Sequence, residues 1–221
     1  MRHKSILFDL DGTLIDSLPD LAHALNRLLA DKGLAPLELA AVRLMVGDGA
    51  RKLVERAFAA AGNPQPHDIE QQHARFLELY EEGPAQRTAI YPGVVETLTE
   101  LKSLGLKLAV VTNKPQAATE MILDSLNLSP LFDAVVGARA GLALKPDPAP
   151  LRQALEDMGA QSGQALMVGD NANDVRAAKA LCIPVVAVTY GYSRIDPAHL
   201  GADILIERFS DLTTALRWFP G

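Results

Sequence analysis

Short runs of apolar residues, separated by helical segments, limit the fold of this chain more than any other feature of its sequence. Six runs are rich in valine, isoleucine and leucine and do not alternate with polar residues, which is typical of strands covered on both faces. They lie at residues 5–8, 106–111, 134–136, 165–168, 185–188 and 204–206. Segments with the apolar spacing of amphipathic helices separate most of them, at residues 94–104, 116–126, 149–158 and 173–181. This alternation predicts an α/β fold, a Rossmann-like parallel sheet core with helices on both faces.

A long interval follows the first apolar run, since the next one begins only at Leu106. A single crossover between parallel strands needs about 30 residues. The interval predicts helices at 18–31, 49–61 and 69–82 and no strand, and Ser17 with Asp20, and Asp48, resemble helix caps. We therefore expect an inserted α-helical cap subdomain. It would span residues 16–86, with residues 1–15 and 87–221 forming the core.

Composition excludes several classes of protein. Of the 221 residues, 48% are hydrophobic, which excludes a disordered chain, and 21 basic against 27 acidic side chains give a net charge of −6. An acidic balance argues against nucleic-acid and membrane partners, and no apolar run reaches the roughly 18 residues of a membrane span. Cys182 is the single cysteine, and its apolar neighbours predict a buried thiol. We expect a cytoplasmic monomer or homodimer that binds a small molecule.

Two aspartates directly follow the first apolar run, in the segment Asp9-Leu10-Asp11-Gly12-Thr13. Ligands of open α/β sheets bind beyond the carboxyl ends of the strands, so both carboxylates are expected to reach a binding site. An Asp-Gly turn is the alternative interpretation, but it leaves the acids described next unexplained. Two carboxylates so close together repel each other, and a hard divalent cation such as Mg²⁺ relieves that repulsion.

Acidic residues also follow the apolar run at 165–168. Asp170 comes after Gly169 at the end of the predicted strand, and Asp174 begins the next helix. A strand-end turn and a helix cap are the structural alternatives for these two aspartates. As ligand sites lie beyond the carboxyl ends of the strands, we expect both acids near Asp9.

Two further strand ends carry a hydroxyl group and a lysine. Thr112 and Asn113 follow the second apolar run and precede Pro115, an arrangement that favours anion binding by free N–H groups at the start of a helix. A simple helix cap is the alternative for Thr112. Lys145 precedes a proline, which favours an extended backbone, and a solvated surface charge is the alternative for this lysine.

Together these motifs resemble those of the haloacid dehalogenase-like superfamily of phosphotransferases. The matching positions are Asp9–Thr13, Thr112, Lys145 and Gly169–Asp174. The resemblance extends over nearly the whole chain, including a helical cap after the first motif. It implies a Mg²⁺-dependent phosphomonoester hydrolase that forms an aspartyl-phosphate. The dehalogenases themselves lack an acid at the position of Asp11, so phosphate ester chemistry is implied here rather than carbon–halogen cleavage.

The resemblance also implies roles for individual residues. Asp9 would be the nucleophile, and Asp11 would protonate the leaving oxygen and then activate water. Mg²⁺ would be bound by the side chains of Asp9 and Asp170 and by the carbonyl oxygen of Asp11. Gly169 and Asp174 would support this centre, Asp174 by orienting a lysine or the waters of the metal.

The remaining implied roles concern the substrate. Thr112 and Lys145 would hold the phosphoryl oxygens, and Lys145 would offset charge in the transition state. Further residues implied in substrate binding are Gly12, Thr13, Arg43, Gly47, Gly49 and Asn113. Arg43 is expected either to pair with a substrate carboxylate or to form a surface salt bridge.

Three segments resemble bacterial phosphoglycolate phosphatases, namely 43–50, 112–114 and 189–192. The pattern is not followed at Asn171 or at Ser193-Arg194, which leaves the substrate open. The partner we expect is a small phosphorylated metabolite, 2-phosphoglycolate first. A phosphatase of another metabolite or sugar phosphate, a mutase similar to β-phosphoglucomutase, and a non-catalytic phosphate-dependent binding module are the alternatives.

Overall fold

A computed structural model of the protein describes residues 3–63, 68–83 and 85–218. The other residues of the predicted core and cap, at 1–2, 64–67, 84 and 219–221, lie outside this description. The described residues form the strands β1 (Ser5–Phe8), β2 (Ile15–Asp16), β3 (Ala89–Ile90), β4 (Lys107–Pro115), β5 (Ala134–Ala138), β6 (Ala165–Gly169), β7 (Val185–Val188) and β8 (Ile204–Ile206). They also form the helices α1 (Leu18–Ala30), α2 (Leu39–Arg43), α3 (Ala50–Ala60), α4 (Ile69–Glu81), α5 (Val94–Ser103), α6 (Gln116–Ser125), α7 (Ala149–Asp157), α8 (Ala172–Lys179) and α9 (Leu212–Ala215).

Six parallel strands form the central sheet in the order β5-β4-β1-β6-β7-β8. β1 lies inside the sheet, with Ser5 opposite both Lys107 of β4 and Ala165 of β6. Every residue of β1 is fully buried, which explains why its sequence is a continuous apolar run after Ser5. The predicted parallel α/β core is confirmed.

Helices cover both faces of the sheet, because successive side chains of a strand point to opposite sides. Ile6 and Phe8 pack with residues of α5, α6 and α9 on one face. Leu7, between them, packs with residues of α7 and α8 on the other face. The two faces therefore each bury an apolar cluster, as the prediction of helices on both sides requires.

Helices α1 to α4 form the segment between β2 and β3, and they pack on one another. Their buried side chains, including Leu25, Phe58 and Phe76, belong to the same apolar cluster as one face of the sheet. The prediction that this interval holds no strand is wrong at its two ends, where β2 pairs with β3 in antiparallel fashion. Strands of two residues show no periodicity, and the five-residue helix α2 was missed for the same reason.

Several local predictions are also wrong. The thiol of Cys182 is exposed, since this residue takes a positive φ of 55° in the turn before β7. Neither Ser17 nor Asp48 caps a helix with its side chain; both contact the functional site instead.

No helix in the described ranges is long and apolar enough to cross a membrane.

Candidate active site

Three adjacent strands end at one edge of the sheet, and polar side chains follow them there. Asp9 comes directly after β1, Asp170 directly after β6, and Thr112 lies near the end of β4. The N–H group of Asp9 donates to the carbonyl oxygen of Val168 at 2.9 Å, so Asp9 continues the pairing of β1 with β6. The predicted second strand ended at residue 111, but β4 continues to Pro115, and α6 begins immediately afterwards.

Lys145 is 3% exposed and connects two of the acids. Its Nζ lies 2.9 Å from Oδ1 of Asp9 and donates to Oδ1 of Asp174 at 2.7 Å and to the carbonyl oxygen of Val111 at 2.6 Å. These acceptors account for the three N–H donors of a lysine. Asn113 fixes the main chain of Lys145 by accepting from its N–H group and donating to its carbonyl oxygen, both at 2.8 Å.

Asp174 caps α8 and contacts the lysine with the same carboxylate. Its Oδ2 accepts from the N–H groups of Asp170 at 3.2 Å and Asn171 at 3.0 Å, and Asn171 completes the capping box. Its Oδ1 accepts from Lys145. One oxygen of Asp174 therefore caps α8 while the other contacts Lys145, so this aspartate is both a helix cap and a neighbour of Asp9 at the site.

The acids around Lys145 carry more negative charge than this lysine balances. Asp9, Asp170 and Asp174 each place one oxygen within 4.8 Å of the others. Burial, and then the charge of Asp174, raise the pKa of Asp9 to about 7 against the opposing effect of Lys145. Burial and the charge of Asp9 raise the pKa of Asp170 well above its usual value. A divalent cation with oxygen ligands would supply the missing positive charge, so this donor set fits such an ion.

Asp174 is the acid least free to bind that cation, because its two oxygens accept three hydrogen bonds, one of them from Lys145, whereas those of Asp170 accept two. The contacts of Asp9 fall on Oδ1, and its Oδ2 has no hydrogen bond within the described part of the chain. The carboxylate of Asp170 is oriented by the N–H group of Tyr192 at 2.5 Å and by the hydroxyl of Thr13 at 3.3 Å.

Asp11 contacts a second lysine, Lys114, which lies in the segment 112–114 noted in the sequence but was given no role there. Nζ of Lys114 donates to both carboxylate oxygens of Asp11, at 3.0 and 3.1 Å, and lies 4.7 Å from the ring centroid of Tyr80. Ser17 donates its hydroxyl to the same carboxylate at 2.5 Å. Burial lowers the pKa of Lys114, but the charges and hydrogen bonds of Asp11 and Tyr80 together outweigh it and raise the pKa above its usual value. The sequence signal that could have pointed to Lys114 is its spacing from Thr112, because residues two apart on a strand share a face.

The loop at residues 44–49, between α2 and α3, is hydrogen-bonded to the strand ends. The side-chain N–H groups of Asn113 donate to the carbonyl oxygen of Gly47 at 3.0 Å. Those of Asn173 donate to Oδ1 of Asp48 at 2.6 Å. Both asparagines thus hold the loop over the edge of the sheet that carries the acids.

Arg194 reinforces the same loop from the segment after β7. It donates to the carbonyl oxygens of Leu44 at 2.7 Å and Val46 at 2.8 Å, and to Oδ2 of Asp48 at 2.7 Å. Burial raises the pKa of Asp48, but hydrogen bonds from Asn173 and Arg194 outweigh it and lower the pKa to about 2. Arg194, one of the residues at which the sequence departs from the pattern described above, therefore holds the loop at 44–49 in place.

Arg43 contacts backbone carbonyl groups and, among the described residues, does not form the surface salt bridge that was one of its two expected roles. Its guanidinium donates to the carbonyl oxygens of Tyr190, at 3.2 Å, and Gly191, and it has no salt bridge among the described residues. It also does not line the cleft beside the acids. Tyr190 in turn donates its hydroxyl to the carbonyl oxygen of Thr13 at 2.9 Å, so Arg43 joins α2 to the segment that supports Asp170.

Glycine is required at two positions where the chain passes close to the site. Gly12 has a φ of 84°, and a Cβ here would lie 2.7 Å from Oδ2 of Asp170. Gly47 has a φ of 116°, and a Cβ here would lie 2.7 Å from Nδ2 of Asn171. Gly47 and Gly49 line the cleft described below, whereas Gly12 and Thr13 lie against Asp170 and are not among its described lining residues.

A cleft with an empty volume of about 610 Å³, partly open to solvent, lies over these side chains. Its floor includes Asp9, Asp11, Thr112 and Asp170. The facing wall comes from α1, the loop at 44–49, α3 and α4, and it is mostly apolar. It includes Leu21, Val46, Ala50, Leu53, Phe76, Leu77 and Tyr80.

Metal-free protein is expected to lose stability relative to its Asp9→Asn variant as the pH rises from about 4 to about 7. The folded-state pKa of Asp9, about 7, lies above the reference value of 3.8, so the folded state keeps a proton that the unfolded chain has released. The free energy of unfolding therefore falls across this window. Urea denaturation in EDTA measures the difference, and a gap that stays constant with pH would contradict the prediction. Mg²⁺ should reverse the loss.

The parallel sheet, the paired aspartates and the lysine-bridged acids define one class of protein. A model of the haloacid dehalogenase-like hydrolase family matches residues 6–188, and the chain belongs to this family. Among curated relatives, the phosphoglycolate phosphatase of Rhodospirillum rubrum is 46% identical over 215 residues, which cover 95% of this chain and 89% of that protein. The phosphoglycolate phosphatase of Caulobacter vibrioides is 46% identical over 218 residues, covering 97% and 91%.

Solved structures show the same fold. The crystal structure of a predicted phosphoglycolate phosphatase from Haemophilus somnus superposes with a TM-score of 0.91 at 36% identity, covering 98% of this chain and 99% of that chain. The structure of CbbY from Rhodobacter sphaeroides in complex with phosphate has a TM-score of 0.81 at 26% identity, covering 95% and 96%. The similarity thus extends over nearly the whole chain.

Proposed function

We propose that this protein hydrolyses a small phosphomonoester through an aspartyl-phosphate on Asp9, and that its substrate is 2-phosphoglycolate. The observation that carries the reaction is that Asp9 and Asp11, two residues apart, each contact a different buried lysine. The two carboxylates therefore have separate environments, as a nucleophile and an acid–base group need. The identity of the substrate is supported by the relatives named phosphoglycolate phosphatase, at 46% identity.

Two displacements at phosphorus complete the reaction. A carboxylate oxygen of Asp9 attacks phosphorus, the ester P–O bond breaks, and the leaving oxygen takes a proton from Asp11. Asp11 then accepts a proton from water, which attacks phosphorus and releases inorganic phosphate and free Asp9. Lys145 stabilises the charge that develops on the phosphoryl oxygens, and the hydroxyl of Thr112 binds one of them.

Mg²⁺ is the divalent ion we assign to the acid cluster, bound by the side chains of Asp9 and Asp170 and by the carbonyl oxygen of Asp11. When bound, it neutralises charge on the phosphoryl oxygens. Asp174 keeps both its oxygens on Lys145 and the start of α8, and so acts as a support. Loss of activity in EDTA and recovery with Mg²⁺, but not with Ca²⁺, is the result that fits this assignment.

We assign residues 16–86 to a cap that closes over the core of residues 1–15 and 87–221. The paired strands β2 and β3 lie where the chain leaves and re-enters the core, which makes them the natural pivot. Closure removes water from the cleft and strengthens the electrostatic interactions within it.

Replacement of Arg194 by methionine is expected to favour the open cap, because it removes four hydrogen bonds to the loop at 44–49. A cost of about 1.5 kcal/mol to the closed state lowers kcat/KM roughly 10-fold. Amide hydrogen exchange in the loop should rise in the same variant. Arg208→Met is the matched control, since Arg208 is exposed and, within the described part of the chain, forms a salt bridge with Asp211 alone. Unchanged exchange in the loop would count against the cap assignment.

A comparison of substrates tests the proposed function. Purified protein with Mg²⁺ is assayed for phosphate release from 2-phosphoglycolate, glucose 1-phosphate and other phosphorylated metabolites, and these are ranked by kcat/KM. We expect 2-phosphoglycolate to rank first. Conversion of glucose 1-phosphate to glucose 6-phosphate without phosphate release would instead identify a mutase, and the absence of turnover on every compound would favour a binding module.

A further inference from the structure

Lys114 is a buried lysine at the site to which the reaction proposed above assigns no role. Its side chain is 3% exposed and contacts Asp11, which is itself 13% exposed. Two of its N–H groups point to the two oxygens of Asp11, and the ammonium also lies over the ring of Tyr80 from α4. Lys114 therefore lies between the proposed acid–base residue and the cap.

The location of Lys114 is important because of the charges that line the cleft. Among the described residues that line the cleft, Lys114 is the one that carries a positive charge. The cap side contributes apolar side chains such as Leu21, Leu53 and Phe76. A substrate with a second anionic group would have to bury that charge there, and an unpaired buried charge is costly. Lys114 is the side chain that can pair with it.

The short carbon skeleton of a two-carbon substrate brings its carboxylate close to Lys114. In 2-phosphoglycolate the carboxylate is bonded to the carbon that bears the ester oxygen. The ester oxygen must lie within hydrogen-bond distance of Asp11 if Asp11 protonates it. Nζ of Lys114 is 3.0 Å from that carboxylate of Asp11, so it is adjacent to the leaving group.

We propose that Lys114 is the specificity residue of this site, which binds the carboxylate of the substrate's leaving group. The proposal rests on the function proposed above and names the group that recognises its substrate. It also explains the apolar cap wall. A sugar phosphate would place several hydroxyl groups against this wall, where Tyr80 carries the one hydroxyl among the described lining residues of α1, α3 and α4, whereas a glycolate group has its polar end on Lys114.

The test compares two substrates that differ only at the carboxylate. Ethyl phosphate has a methyl group where 2-phosphoglycolate has its carboxylate, and the ratio of their kcat/KM values measures recognition of that group. The wild-type ratio is expected to favour 2-phosphoglycolate strongly. In Lys114→Met the ratio should fall about 100-fold, the usual effect of breaking a buried charge pair at a binding site.

Lys52→Met is the matched control, because Lys52 lies on the cap segment in an exposed pair with Glu55. Its ratio should match that of the wild type; a fall equal to that of Lys114→Met would overturn the proposal in favour of a diffuse charge effect. A high wild-type ratio that survives in Lys114→Met would overturn the role of Lys114 alone. A wild-type ratio near one would overturn both this role and the proposed substrate.

Binding measurements cover the case in which Lys114→Met has no turnover. Calorimetry on Asp9→Asn and on Asp9→Asn with Lys114→Met, each with Mg²⁺, gives the affinity for 2-phosphoglycolate and ethyl phosphate. The preference for 2-phosphoglycolate should fall about 100-fold when Lys114 is replaced. Equal loss of affinity for both ligands would assign Lys114 to Asp11 rather than to the substrate.

Discussion

Asp9→Asn is expected to lower kcat by about 10⁴-fold or more, the scale of loss when a covalent nucleophile is removed. The amide nitrogen and oxygen of asparagine keep the shape of the side chain, but neither forms a stable bond to phosphorus. The wild-type protein, quenched in acid during turnover, should carry a phosphoryl group on Asp9 that hydroxylamine releases. The variant should carry none. Mass spectrometry of the peptide that contains residue 9 makes the comparison directly.

Asp157→Asn provides the control for this experiment. Asp157 is exposed at the end of α7, and among the described residues its side chain accepts a hydrogen bond from Gln153 alone, so its loss should leave kcat within about twofold. Near-normal turnover in Asp9→Asn would show that another group attacks phosphorus. A phosphoryl group found on Asp11 instead would exchange the two roles proposed above.

Lys145→Met has the second large expected effect, on both activity and stability. Lys145 contacts Asp9 and Asp174 with an ammonium group that is almost completely buried. Its removal leaves buried carboxylates without a counter-ion, which costs about 3 kcal/mol or more in the free energy of unfolding at pH 8. We expect kcat to fall at least about 10³-fold, since the charge on the transferred phosphoryl group also loses its partner.

The pH dependence distinguishes loss of charge from loss of packing in this variant. Lys145 lowers the pKa values of Asp9 and Asp170, so without it both rise, and the variant gains stability relative to the wild type as the pH falls and these groups bind protons. The stability gap should therefore narrow between pH 8 and pH 5. Lys102→Met is the control, because Lys102 and Asp133 form a partly exposed pair worth about 1 kcal/mol or less. A gap independent of pH would show that packing dominates.

The core strands were predictable because they are buried on both faces, which leaves an unbroken apolar run in the sequence. β1, β7 and β8 have the predicted bounds. β4 was predicted too short because its last residues are polar, although they continue the strand to Pro115. β2 and β3 were missed because each has only two residues, and their pairing depends on segments far apart in the chain.

Contacts that depend on side-chain direction were the least predictable part of the site. The apolar neighbours of Cys182 predicted a buried thiol, yet the local backbone conformation turns it to solvent. Arg43 was chosen for its charge and position, but it contacts backbone carbonyl groups. Arg194 was noted only as a departure from a pattern, and its contacts lie with a loop near residue 46. The linear sequence does not specify which residues these side chains contact in the folded chain.

The sequence by itself determined that the chain forms a parallel sheet and that acids follow the ends of the first strand and of the strand predicted at 165–168. Burial selects apolar runs for the strands, and the sheet brings their carboxyl ends to one edge. Only the tertiary structure decided which lysine belongs to which aspartate, Lys145 to Asp9 and Lys114 to Asp11. The physical reason for the second pair is the strand order, which places β4, the strand of Lys114, beside β1 although about a hundred residues separate them in the chain. Lys145 reaches Asp9 because Asn113 of β4 holds its main chain.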